Sequence, residues 1–83
     1  MNYIATNIRH LRELKEFSQE YFAEELRWSR AMIASFESGR TEPSIDKLID
    51  LSKYIKIPID TLIKIDLRKT KDLSFIDIGN KRV

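Results

Sequence analysis

Apolar residues recur every three or four positions along most of the chain, which is the spacing of one face of a helix. Ile4, Ile8, Leu11 and Leu14 form one such stripe and predict a first helix from about Ile4 to Lys15. A second opens at Ser18, a suitable N-cap, and runs to Leu26 with Phe22, Ala23 and Leu26 inward. Glu20 lies in its first turn, where the helix dipole favours an acid. A third helix opens at Ser29 and runs to Ser38, burying Ile33 and Phe36 with Met32 half inside. Gly39 is its expected left-handed terminator. A fourth opens at Ser44, after Pro43, and is expected to bury Ile45, Leu48, Ile49 and Leu51. A short fifth helix runs from about Pro58 to Ile63, with Pro58 near its first turn and Ile59, Leu62 and Ile63 apolar. Helix breakers are confined to Gly39, Pro43, Pro58 and Gly79, so the expected class is all-α: a compact five-helix bundle.

The character changes after Leu67. Arg68, Lys69 and Lys71 form a basic group, and Leu73, Phe75, Ile76 and Ile78 follow with weak alternation. That stretch reads as an irregular or short-strand C-terminal tail: a strand, a dimerisation arm or a linker. The expected organisation is one domain over residues 1–66 and a tail over residues 67–83, with the whole expected to be a piece of a longer chain.

A chain of 83 residues is one small domain, able to bury roughly 60% of its unfolded surface. It has no cysteine, which excludes disulfides, thiolate metal sites and cysteine nucleophiles. A single histidine, His10, leaves no multi-histidine metal site, and His10 reads as a surface or half-buried side chain. No apolar run approaches the ~18 residues of a membrane span, and no signal-peptide pattern opens the chain. The expectation is a cytoplasmic protein without enzyme activity, cofactor or metal. Fifteen Lys and Arg stand against thirteen Asp and Glu, a net charge of +2. Residues 1–42 carry a slight acidic excess and residues 43–83 a basic one. Any positive patch must therefore come from segregation on the surface rather than from excess.

The second and third helices are joined only by about Arg27 and Trp28, so they must cross steeply, and Ala23 is small enough to sit where their backbones approach. The outer face of the third helix carries Arg30, Ala31, Ala34, Ser35 and Ser38. It has little bulk, several hydroxyls and one long donor at its N-terminal end. Such a face suits the major groove of DNA, where an arginine can fork onto guanine. It equally suits an exposed helix of any small bundle, and periodicity leaves both readings open.

The ordered residues Ser18-Gln19-Glu20-Tyr21-Phe22-Ala23, Leu26-Arg27-Trp28-Ser29-Arg30, Ile33 to Arg40, and Pro43-Ser44 resemble the phage-repressor/Cro-type (XRE-type) helix-turn-helix regulators. Leu48 to Tyr54 and Ile57 to Leu62 resemble the fourth and fifth helices of that family, so the likeness covers about residues 4–63. It implies a lambda-repressor-like fold with the helix-turn-helix at helices two and three. It implies sequence-specific binding of double-stranded DNA by a bacterial or phage-type regulator, more often a repressor, with helix three in the major groove. Residue by residue, it implies base contacts from Ser29, Arg30, Ala31 and Ser35, and phosphate contacts from Arg12, Gln19, Ser38, Arg40 and Thr41. It also implies an ion pair between Arg12 and Glu37. Glu37 fits that pairing independently, because an acid in the last turn of a helix opposes the dipole and needs a nearby cation. The expected partner is a pseudo-palindromic operator bound by a homodimer that pairs through helix five, the tail or both.

Three residues depart from the family pattern. Arg27 and Lys56 stand where glycine is common, and Trp28 stands where a small aliphatic residue is usual. Trp28 is expected to cover the core edge, and Tyr3, Tyr21 and Tyr54 to rim it. Glu20, Glu24 and Glu25 are expected on the solvent side of helix two, since acids facing phosphates repel DNA. A second function class is a DNA-binding antitoxin-like protein whose apolar tail, Leu73 to Ile78, holds a protein partner.

Overall fold

A computed structural model describes residues 2–70, and the apolar tail segment Leu73 to Ile78 lies outside the described residues. Five α-helices follow in order: α1 (Ile4–Leu14), α2 (Gln19–Leu26), α3 (Arg30–Ser38), α4 (Ile45–Ile55) and α5 (Ile59–Lys64). A 3-10 turn at Leu67–Lys69 closes the described chain, and the described residues contain no strand. The bundle measures 30 × 29 × 19 Å.

The serine caps form as the sequence predicts. Ser18 Oγ accepts from the Tyr21 N–H, Ser29 Oγ from the Met32 N–H and Ser44 Oγ from the Lys47 N–H. Each satisfies one backbone donor that the first helical turn leaves free. Gly39 ends α3 at φ 81° with open space where a Cβ would stand. Glycine is favoured there for its backbone angle alone. Arg27 and Lys56 take the left-handed conformation at φ 62° and 64°, as does Glu16 at φ 63°. For an L-residue that conformation costs about 1–2 kcal/mol, which tight helix–helix connections at these points must offset.

α1 runs through the centre of the bundle and packs on α3, α5 and the 3-10 turn, while α2 packs on α3 and α4 on α2 and α5. The core gathers Ile4, Ile8 and Leu11 with Phe22, Ile33, Leu51, Ile55, Ile57, Leu62 and Leu67. Trp28 covers one edge: its ring stands perpendicular to Phe36 at 5.5 Å, and Lys47 Nζ lies 5.8 Å from its centroid. The Trp28 Nε1–H is buried and has no hydrogen-bond partner among the described residues.

Two expectations for α4 are corrected. Ile45 and Ile49 are 66% and 37% exposed. α4 rests on α2 and α5 along the single stripe Leu48, Leu51 and Ile55, and Ile49 lies roughly 100° round the helix from Leu48. Tyr21 also departs from a core rim: it is 45% exposed, with its ring packed edge-to-face against Phe17 at a centroid distance of 4.6 Å. Tyr3 and Tyr54 are half-buried. Tyr54 donates to Glu25 across 2.9 Å, and burial followed by that bond pushes its pKa well above the usual phenol value.

Asn7 is a buried polar residue with no apolar-pattern signal. Its Nδ2 donates to the Leu62 carbonyl at 2.8 Å and the Ile65 carbonyl at 2.6 Å, and its Oδ1 accepts from the Leu67 N–H at 3.0 Å. One side chain thus ties α1 to the end of α5 and to the turn beyond it, and Leu67 is fully buried as a result. Asn7→Ala leaves the Leu62 carbonyl and the Leu67 N–H buried without this partner, and is expected to lower unfolding free energy by about 2–4 kcal/mol in urea denaturation. A loss below about 0.5 kcal/mol, the level of an ordinary surface substitution, is the contrary result.

Candidate nucleic-acid interface

The chain turns from α1 into α2 through Glu16 and Phe17, so the C-terminal end of α1, the N-terminal end of α2 and the C-terminal end of α3 meet at one corner. Arg12 occupies that corner. Its Nε donates to Glu37 Oε2 at 2.7 Å, its Nη2 to Glu37 Oε1 at 3.1 Å and its Nη1 to the Phe17 carbonyl at 2.7 Å. The Glu37 side chain is 4% exposed and that of Arg12 is 12% exposed. The forked hydrogen bond to Glu37 holds the Arg12 pKa above its ordinary value, against the opposing effect of burial. Gln19 completes the set, its Nε2 donating to Glu37 Oε1 at 3.0 Å. Three helices are therefore bonded through one carboxylate.

The α3 C-terminus forms a Schellman closure. The Gly39 N–H donates to the Phe36 carbonyl at 3.2 Å and the Arg40 N–H to the Ser35 carbonyl at 3.0 Å. The Ser38 hydroxyl donates to the same Ser35 carbonyl at 3.1 Å and accepts from the Arg40 N–H at 3.3 Å. Ser38 thus shapes the turn that presents Arg40 and Thr41. The Ser35 and Thr41 hydroxyls bond each other at 2.8 Å.

The residues expected to meet DNA are distributed as follows. Ser29, Arg30 and Ala31 are exposed at the N-terminal end of α3, and Ser35 is half-buried one turn further on. The Arg30 side chain forms no ion pair or hydrogen bond with any described residue, so its donors are available. The Ser29 oxygen is engaged in its cap, which leaves its hydroxyl hydrogen available. Ser38, Arg40 and Thr41 are exposed, and Gln19 and Arg12 are partly covered. Gln19 keeps a second amide hydrogen, because only one is needed by Glu37. Glu20, Glu24 and Glu25 are all exposed. Arg68 is exposed but forked onto Asp66 by two 3.0 Å bonds, which hold the Asp66 carboxyl below its usual range.

Sequence reasoning found the Arg12–Glu37 pair but missed Gln19 as its third member and the Ser35–Thr41 hydroxyl pair. The signal for the second was the glycine at Gly39. A left-handed terminator folds the chain back, so residues six apart across it meet.

A helix-turn-helix family model matches residues 8–62. Over 56 residues the chain is 38% identical to the HTH-type transcriptional activator BcrR of Enterococcus faecalis. That match covers 68% of this chain but 28% of the relative, so the chain spans little more than a quarter of its relative's length. A solved structure of a transcriptional regulator from Listeria innocua superposes with a TM-score of 0.72 at 31% identity, over 89% of this chain and 69% of that one.

With both ions of the Arg12–Glu37 pair nearly enclosed, removal of one strands the other. Glu37→Ala is expected to lower unfolding free energy by about 3–5 kcal/mol, and a double-mutant cycle with Arg12→Ala to show strong coupling. Denaturation curves giving a coupling near zero contradict the assignment of this pair as the joint between helices.

Proposed function

The chain belongs to the XRE-type helix-turn-helix family of DNA-binding transcriptional regulators, and from that premise we propose that it binds a specific operator with α3 in the major groove. The observation that carries this is the outer face of α3: small residues, the uncommitted hydroxyl hydrogen of Ser29 and one long donor, Arg30, whose exposed side chain has no partner among the described residues. In this reading Arg30 forks onto guanine O6 and N7, Ala31 meets a thymine methyl, and Ser29 and Ser35 bond neighbouring base edges. Arg12, Gln19, Arg40 and Thr41 hold phosphates, with Ser38 on the same surface, and the free N–H groups at the start of α2 assist Gln19. Phosphate contacts set the register, and base contacts set the sequence.

One small domain makes few base contacts, so two copies on two half-sites supply the specificity. Ile59 and Ile63 on α5 are half-buried and remain the proposed pairing surface, together with the tail. Repression is the sign of regulation we favour. It needs only occupancy of a site that overlaps a promoter, whereas activation needs a further surface that engages the polymerase. The cytoplasm is the compartment where such a site is met. The antitoxin-like reading rests on Leu73 to Ile78, outside the described residues, and no observation on the described ones favours it.

Selection from a random duplex pool, followed by salt titration on the winner, tests the proposal. The expected site is pseudo-palindromic, with half-site centres about one turn, 10–10.5 base pairs, apart. Recovery of duplexes without a shared sequence contradicts it. On the selected duplex, Arg30→Ala is expected to weaken binding by about 1–3 kcal/mol and relax preference at one base pair, with the melting temperature nearly unchanged. Arg40→Ala is expected to weaken all sequences alike and reduce the salt slope by about one. A panel of mutated operators at two salt concentrations separates the two effects.

A further inference from the structure

Ser35 and Thr41 stand together on the face assigned to DNA. Their oxygens are 2.8 Å apart and either hydroxyl can be the donor. Thr41 is held in this place by backbone as well: the Arg40 and Thr41 N–H groups both donate to the Ser35 carbonyl, at 3.0 and 3.4 Å. Each hydroxyl has a single hydrogen and two lone pairs. A phosphate oxygen offers lone pairs only.

These facts combine into a constraint. When Thr41 holds a phosphate, its hydrogen goes to the phosphate. The Ser35–Thr41 bond must then use the Ser35 hydrogen. Ser35 is left with lone pairs alone for the base edge in front of it. We propose that Thr41 sets the hydrogen-bonding polarity of Ser35, so that Ser35 selects a base presenting an amino group in the major groove. On the strand it faces, that base is adenine through N6 or cytosine through N4, and not guanine or thymine. An isolated serine accepts or donates equally well and discriminates little. Thr41 turns an ambivalent reader into a selective one without touching a base. The inference rests on the assignment of α3 to the major groove and of Thr41 to a phosphate.

The test uses the full chain and the duplex recovered by selection. Ser35→Ala first locates the base pair that Ser35 faces, as the position where preference is lost. Duplexes with each of the four pairs at that position are then titrated with the parent, Thr41→Val and Thr41→Ser. The parent is expected to favour the amino-bearing base on the facing strand by on the order of tenfold, and inverting the pair removes the advantage. In Thr41→Val the Ser35 hydrogen is released, so the preference is expected to fall to about twofold or less, along with a general loss of affinity from the missing phosphate bond. Thr41→Ser restores both. Melting curves confirm that the exposed substitution leaves the fold intact.

A Thr41→Val variant that binds all four duplexes more weakly but keeps the parent's preference overturns the inference, and Thr41 is then a phosphate contact only. A parent that prefers guanine or thymine on the facing strand overturns it as well. Selection that enriches no sequence at all removes the DNA-reading premise and the inference with it, an outcome distinct from the other two.

Discussion

The near-enclosed carboxylate of Glu37 is the point on which the placement of α3 depends. It sits in the last turn of α3, where the helix dipole opposes it, and it accepts hydrogen bonds from Arg12 on α1 and Gln19 at the start of α2. Arg12 in turn binds the Phe17 carbonyl in the connection between those two helices. The angle between α2 and α3 is therefore set at two ends. Ala23 and the left-handed Arg27 close one end, and the Glu37 corner closes the other. The pair is a costly joint for holding helices together, since desolvation of two ions offsets much of their attraction. Its geometric value is that arginine's planar fork fixes direction as well as distance. A hydrophobic contact at the same corner would allow α3 to roll and would change which side chains face outward.

Much of this was legible in the sequence, because the relevant signals are local. Ser18, Ser29 and Ser44 announce helix starts through their capping chemistry, and Gly39 announces a helix end through its backbone freedom. The stripe Ile33 and Phe36 leaves the opposite face of α3 defined by subtraction. The ion pair was reached from the family pattern and from the dipole argument at Glu37. What escaped notice was non-local. Nothing in the pattern around Asn7 marks it as buried, since its three partners come from residues 62 to 67. The exposure of Ile45 and Ile49 depends on which neighbours α4 meets, and periodicity cannot tell a packed flank from a bare one. Gln19 was expected to contact phosphate, and its bond to Glu37 had no signal in the pattern.

Net charge is a poor guide to the electrostatics of this face. At +2 overall, the chain has little excess to attract a polyanion. Local arrangement carries the effect instead. Glu37 is matched by Arg12 and shielded from solvent, Glu25 on α2 is bonded by Tyr54, and Arg30 and Arg40 are left without acidic partners among the described residues. The N–H groups at the starts of α2 and α3 add fixed partial positive charge. The surface is thus selective in sign without being strongly basic, which favours modest non-specific binding.

The most direct test of the account is a map of backbone amide shifts in 15N-labelled protein titrated with its selected duplex. Shifts are predicted at the N-terminal ends of α2 and α3, around Ser18 to Tyr21 and Ser29 to Ala31, and through Ser35 to Thr41, the closing turn of α3. Perturbation centred instead on the open groove between α2 and α4, lined by Glu25, Trp28, Lys47 and Tyr54, would contradict α3 as the reading element.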